Sequence, residues 1–125
     1  MLQKMILLAC AGALGTLSRY ALAGMVHKFT GHTFPFGTML VNIIGCFLAG
    51  LIWSLAEGKI TLSGEMRIII LVGFMGAFTT FSTYILESGE LFRNAQYGLA
   101  FVNVLTQNIV GLSAMFAGIF LGRIP

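Results

Sequence analysis

A chain of 125 residues that is 58% hydrophobic and only 9% charged, with a mean hydropathy of +0.95, does not have the composition of a soluble domain. Its net charge of +3 comes from seven basic residues set against four acidic ones. The basic residues are scattered singly, so there is no basic patch of the kind that binds nucleic acid.

The first apolar stretch, Met5 to Val26, carries one charge, Arg19, and predicts a span over about 4–26. A secretory leader is not expected, because Arg19 interrupts the run and no small-residue cleavage site follows. Two readings of Arg19 stand: it snorkels to the interface, or it faces a watery vestibule where it attracts anions. Lys28 to Pro35 is a polar connection holding His32 beside His27, with no acid, Cys or nucleophile at a cooperating distance. Phe36 to Ala56 is uncharged and long enough to cross a bilayer, for which a helix needs roughly 18 to 20 residues; it predicts the second span, 36–56. Within it Asn42 is a side-chain amide in apolar surroundings, either glue between helices or a donor to a ligand. Cys10 and Cys46 both fall inside spans and read as small packing residues, not as a disulfide or metal set.

After the connection Glu57 to Arg67 comes the third span, 67–88, with the most informative stretch of the sequence: Gly73-Phe74-Met75-Gly76-Ala77-Phe78-Thr79-Thr80-Phe81-Ser82-Thr83-Tyr84. Two glycines followed by β-branched threonines and aromatics make a poor regular helix and a good place for one to break. A break inside the membrane frees backbone groups, which is tolerated only where protein, water or an ion satisfies them. Beyond it Phe81 and Tyr84, three apart, share a helical face with Thr80, Ser82 and Thr83 beside them. Aromatic ring edges are electropositive and can stabilise an anion in a dry place, with hydroxyls adding conventional donors. A packing cluster with hydroxyls bonded to their own turn is the plainer alternative. The fourth span, 95–122, carries Asn103, Thr106, Gln107, Asn108 and Ser113, of which Asn103 and Gln107 are four apart and read either as a polar stripe with nearby Thr106 or equally well as packing glue. Glu57, Glu65, Glu87 and Glu90 all lie at span ends or in connections, so none reads as a proton carrier at mid-bilayer. No catalytic constellation emerges, and an enzyme is not expected.

Lysine and arginine placement sets membrane orientation. Lys4, Lys59, Arg67 and Arg123 fall on the side of the N-terminus, and Arg19, Lys28 and Arg93 on the other. So even a division allows insertion both ways, and two oppositely inserted copies can pair about a two-fold axis in the membrane plane. Small residues at four-residue spacing, Ala114, Gly118 and Gly122, and Ala11 and Gly15, allow close helix approach.

These residues together resemble the Fluc (CrcB-type) fluoride channels over the full length of the sequence. The resemblance rests on three motifs in order: Gly12-Ala13-Leu14-Gly15-Thr16-Leu17-Ser18-Arg19, then Gly37-Thr38-Met39-Leu40-Val41-Asn42-Ile43-Ile44-Gly45, then Gly73-Phe74-Met75-Gly76 running through Thr79-Thr80-Phe81-Ser82-Thr83. It implies an all-α integral membrane protein of one domain, 1–125, with four spans and a break in the third. It further implies an antiparallel dual-topology homodimer in the bacterial inner membrane, with two pathways that export fluoride passively from the cytoplasm. A structural sodium ion is implied at the dimer centre, held by the backbone carbonyls of Gly76 and Thr79. Asn42 and Phe81 match a pore-lining asparagine and the first pore phenylalanine, and Arg19 an arginine near the entrance. Two departures stand out: Tyr84 replaces the usual second pore phenylalanine, and Ala77 a usual glycine. The fourth span aligns with one extra residue between Leu105 and Gly111, so Asn108 best matches the polar-track position, with Gln107 and Thr106 as alternatives. The rival from another class is a small dual-topology cation or multidrug exporter, which needs a membrane-embedded carboxylate. An accessory subunit without ion flux is a third.

Overall fold

In the computed structural model, which describes residues 1–31, 33–58 and 60–124, long helices account for nearly all of the protein. Helix α1 covers Leu2–Thr30, α2 Phe36–Gly58, and the last helix, α6, Tyr97–Arg123. The third span, Gly64–Arg93, is built from pieces: a short helix α3 over Gly64–Ile68, a π-helical stretch over Ile69–Met75, a single turn α4 over Gly76–Phe78, and α5 over Phe81–Arg93. All four spans are long and apolar enough to cross a membrane. Their connections, residues 31–35, 59–63 and 94–96, are too short to recross about 30 Å of hydrocarbon, so successive spans alternate in direction. Against the expected spans 4–26, 36–56, 67–88 and 95–122, the helices cover Leu2–Thr30, Phe36–Gly58, the pieces of Gly64–Arg93, and Tyr97–Arg123. They run longer at most ends because helices continue into the interface beyond the apolar stretch. His32 in the first connection and Lys59 in the second lie outside the described residues.

The first connection closes at Gly31, whose φ of 73° ends α1 in the left-handed region where a missing Cβ removes the penalty. The second is tied by Arg67, whose guanidinium donates to the Ala56 carbonyl in the last turn of α2. That bond satisfies one of the carbonyls left over where the helix stops. Ser63 caps α3 by accepting the Met66 amide at 3.2 Å.

Packing follows the small residues. A Cβ at Gly118 of α6 would overlap the Phe47 carbonyl of α2, and one at Gly50 of α2 would overlap the Met115 carbonyl of α6. The two helices therefore touch backbone to backbone along their length. On the other side, a Cβ at Gly15 of α1 would overlap the Phe74 carbonyl, and Gly73 lies against Ala11. Ala11, Gly15, Gly118 and Gly122, whose spacing suggested close helix approach, are thus occupied with packing inside the protomer. Between the two pairs Val41, Met75 and Phe78 form the buried centre, with Leu22, Ile44 and Leu71 packed on it. The Phe74 and Phe78 rings stack beside them with centroids 5.9 Å apart. Cys10 is exposed and Cys46 half-buried, both with free thiols.

Candidate functional site: the break in the third span

The interruption falls at the threonines. Gly73 and Gly76 stay helical, while Thr79 (φ −82°, ψ 161°) and Thr80 (φ −151°, ψ 112°) are extended. Glycine was expected to loosen the helix here. Gly73 serves instead for close approach to Ala11, and the stop is made by the hydroxyl of Thr80. That oxygen accepts the Thr83 amide at 3.3 Å and so caps α5 as its N-terminal residue. The same hydroxyl donates to Thr83 Oγ1 at 2.9 Å.

Asn42 bridges the gap. Its Oδ1 accepts the Thr80 N–H at 2.8 Å and its Nδ2 donates to the Thr80 carbonyl at 3.0 Å, an amide pairing with a peptide as a neighbouring strand would. Its second amide proton goes to Gln107 Oε1 at 2.7 Å. The bonds continue through the bundle: Gln107 Nε2 donates to Asn103 Oδ1 at 2.9 Å, Asn103 Nδ2 to Ser88 Oγ at 2.9 Å, and Ser88 Oγ to the Tyr84 carbonyl at 2.8 Å. The circuit leaves the third span at Thr80, crosses the second and fourth, and returns to the third at Tyr84. Each donor follows an acceptor, so the bonds strengthen one another in a low-dielectric interior. Both amide protons of Asn42 have protein acceptors, the Thr80 carbonyl and Gln107 Oε1, the arrangement that a residue gluing helices together would show.

This diversion has a consequence for the backbone. In a continuous helix the Thr80 N–H would close on the Gly76 carbonyl and the Thr83 N–H on the Thr79 carbonyl. Here those donors serve Asn42 and Thr80 Oγ1, so the carbonyls of Gly76 and Thr79 lose their helical partners. Both residues border an open cleft of ≈ 380 Å³, together with Asn42, Phe81, Tyr84, Gln107 and Asn108.

The aromatic pair lies at the start of α5. Phe81 and Tyr84 meet edge to face, with centroids 5.5 Å apart and planes at 64°. Tyr84 is buried, whereas Phe81 is 73% exposed and projects from the protomer. Asn108 Nδ2 donates to the Tyr84 hydroxyl at 3.0 Å and to the Val104 carbonyl at 2.8 Å. Gln107 and Asn108 therefore both reach the cleft. Thr106, expected beside Asn103 and Gln107, instead lines a separate apolar groove with Phe36 and Leu99.

Arg19 does not join this cleft. It lies in a second groove of ≈ 390 Å³ with Thr16, Tyr20, His27, Thr38, Thr83 and Glu87. Thr83 belongs to this groove, and its hydroxyl accepts from that of Thr80 at the break. Ser82 is exposed and borders neither. Glu87, which sequence placed simply at a span end, reaches inward and accepts the Thr38 hydroxyl at 2.7 Å. Its spacing of four from Thr83 on one helix face is the signal that joins it to the Arg19 groove. Ser88 was not singled out by sequence; its spacing of four from Tyr84 is the corresponding signal.

Four apolar spans and a polar cleft at an interrupted third helix define a multi-pass membrane protein with the makings of an ion path. Residues 6–119 match the family described as CrcB-like protein, Camphor Resistance (CrcB), and the chain belongs to that family. It is 55% identical over 121 residues to the fluoride-specific ion channel FluC of Desulforapulum autotrophicum, with 97% of each sequence covered. To the proteins of the same name from Solidesulfovibrio magneticus and Nitrosococcus oceani it is 50% and 49% identical, with 99% of each sequence covered.

Proposed function

We propose that the protein is a fluoride-selective passive channel of the bacterial inner membrane that exports fluoride from the cytoplasm, working as an antiparallel dual-topology homodimer. The observation that carries this reading is the break itself, together with the full-length similarity to relatives named as fluoride channels. At the break an exposed Phe81 and a buried Tyr84 stand at the N-terminal end of α5, the positive end of a helix dipole. Fluoride is small and strongly hydrated, so a narrow passage must replace its water with closely placed donors and electropositive ring edges. Phe81 projects from one protomer, and a second copy inserted the other way gives it a wall to face.

The freed carbonyls of Gly76 and Thr79 fit a hard cation, which takes oxygen ligands of this kind. Two copies meeting at their breaks would offer these carbonyls to one sodium ion. Held there by the Gly76 and Thr79 carbonyls, such an ion would supply fixed charge between the two copies. The anion path itself is the work of Asn42, which holds Thr80 in place, of Phe81, Tyr84, Thr80, Ser82, Thr83 and Asn108 around the break, and of Arg19 toward one entrance. The exporter alternative lacks its carboxylate at the cleft: Glu87, the acid closest to the break in sequence, lines the Arg19 groove.

Fluoride efflux from proteoliposomes tests the proposal. The protein is expected to release fluoride electrogenically, and Phe81→Ala to slow release at least tenfold. Absence of fluoride flux, or a Phe81→Ala variant indistinguishable from the parent, overturns it.

A further inference from the structure

We propose that His27 makes fluoride conduction by this protein pH-dependent, adding a positive charge in acid to the entrance that holds Arg19. The inference rests on the channel reading above. His27 is half-buried in the last turn of α1. A Cβ at Gly37 would stand 2.8 Å from its Nε2 and 3.1 Å from its Cδ2, so the ring is seated against the first turn of α2 in a notch that glycine leaves open. Its Nδ1 lies 3.4 Å from the Gly31 carbonyl. The C-terminal end of α1 favours a cation on this ring and the N-terminal end of α2 opposes it, which leaves the facing side chains to decide.

Two grooves share the ring. One is the Arg19 groove, and the other, of ≈ 270 Å³, is lined by Thr33, Glu90, Asn94 and Gln96 among others. His27 and Glu87 border both, near enough for each to feel the other's charge. Glu87 Oε1 accepts the Thr38 hydroxyl, while its Oε2 is buried and accepts no hydrogen bond among the described residues. Among those residues the titratable side chains that share the two grooves with His27 are Arg19 and Tyr20 of α1 and Glu87 and Glu90 of α5. The first turn of α2 and residues 33–35 and 94–96 contribute none. With His27 neutral, the Arg19 groove holds one cation and one carboxylate, whose charges offset each other. An imidazole changes charge between pH 5 and 8, and the proton it gains leaves the groove positive. A positive potential in a cleft with low-dielectric walls raises the local concentration of anions and their rate of entry.

The test is fluoride efflux from proteoliposomes held at equal pH on both sides, between about pH 8 and about pH 5, with the leak of protein-free vesicles subtracted. The parent is expected to conduct about tenfold faster at the acid end, and added impermeant salt to shrink that ratio by screening. His27→Gln keeps a polar side chain without the charge, and is expected to give a flat profile at the parent's alkaline rate. The sequence has two histidines, so His32→Gln leaves His27 as the one that titrates. That protein is expected to keep the parent's profile, and this arm decides the matter where His27→Gln does not fold. A flat parent profile, a rise that survives His27→Gln, or a rise lost in His32→Gln overturns the proposal. A parent protein that conducts no fluoride at any pH refutes the channel reading and this inference with it. A conducting parent with a flat profile refutes this inference alone.

Discussion

Asn42 is a ligand to the protein's own backbone. It meets both the N–H and the C=O of Thr80, and replacing it by leucine leaves those two groups and Gln107 Oε1 unpaired. An unpaired buried group costs about 1–3 kcal/mol, so Asn42→Leu should lose about 3 kcal/mol or more of stability, read as an earlier thermal transition in detergent, together with fluoride flux. A variant that loses flux at unchanged stability would show Asn42 to act on the ion alone. Sequence singled out Asn42, Phe81, Tyr84 and Asn108, because polar and aromatic groups stand out against an apolar span. It could not tell that Asn42 has no free proton, since that depends on Gln107 and Thr80 arriving from other spans. Thr106 was misplaced for a simpler reason: it is one position from Gln107, and neighbouring residues on a helix point about 100° apart.

At the level of elements, the spans were legible because membrane hydrocarbon demands long uncharged helices, and the composition of the third marked it as irregular. Where it stops was harder to see. Gly73 and Gly76 looked like the weak points, yet Gly73 lies against Ala11 and keeps helical form, while Thr80 caps the next helix with its own hydroxyl. Glycine in a membrane span is ambiguous between flexibility and close approach, and only the neighbour decides. The α2–α6 contact makes this testable. Gly118→Ala would drive a methyl into the Phe47 carbonyl, whereas a Cβ at Gly24 of α1 meets nothing within 4 Å. Gly118→Ala should destabilise by about 1–3 kcal/mol and Gly24→Ala should be neutral or slightly stabilising, compared by thermal unfolding in detergent.

For the whole molecule, the outward projection of Phe81 and the carbonyls freed at an open cleft are the features on which the proposed second copy rests. Single cysteines placed at either terminus, in a Cys10→Ser/Cys46→Ser background, should each be labelled from both sides of the membrane; labelling of each from one side only would rule out dual insertion. Exchange of sodium for a large organic cation should stop conduction and sodium should restore it, and conduction indifferent to the cation would dismiss the proposed ion. The near-even division of Lys and Arg hinted at this assembly, but charge counting carries no information about which faces meet. The circuit of bonds from Thr80 through Asn42, Gln107, Asn103 and Ser88 to Tyr84 begins at a backbone N–H and ends at a backbone carbonyl. Those two groups cannot exchange roles: turning over Gln107 would set like against like at both Asn42 and Asn103, and turning over Asn103 would set its Nδ2 against Gln107 Nε2. The bundle interior thus carries a line of bonds that all run in one sense, and the backbone at its two ends dictates that sense.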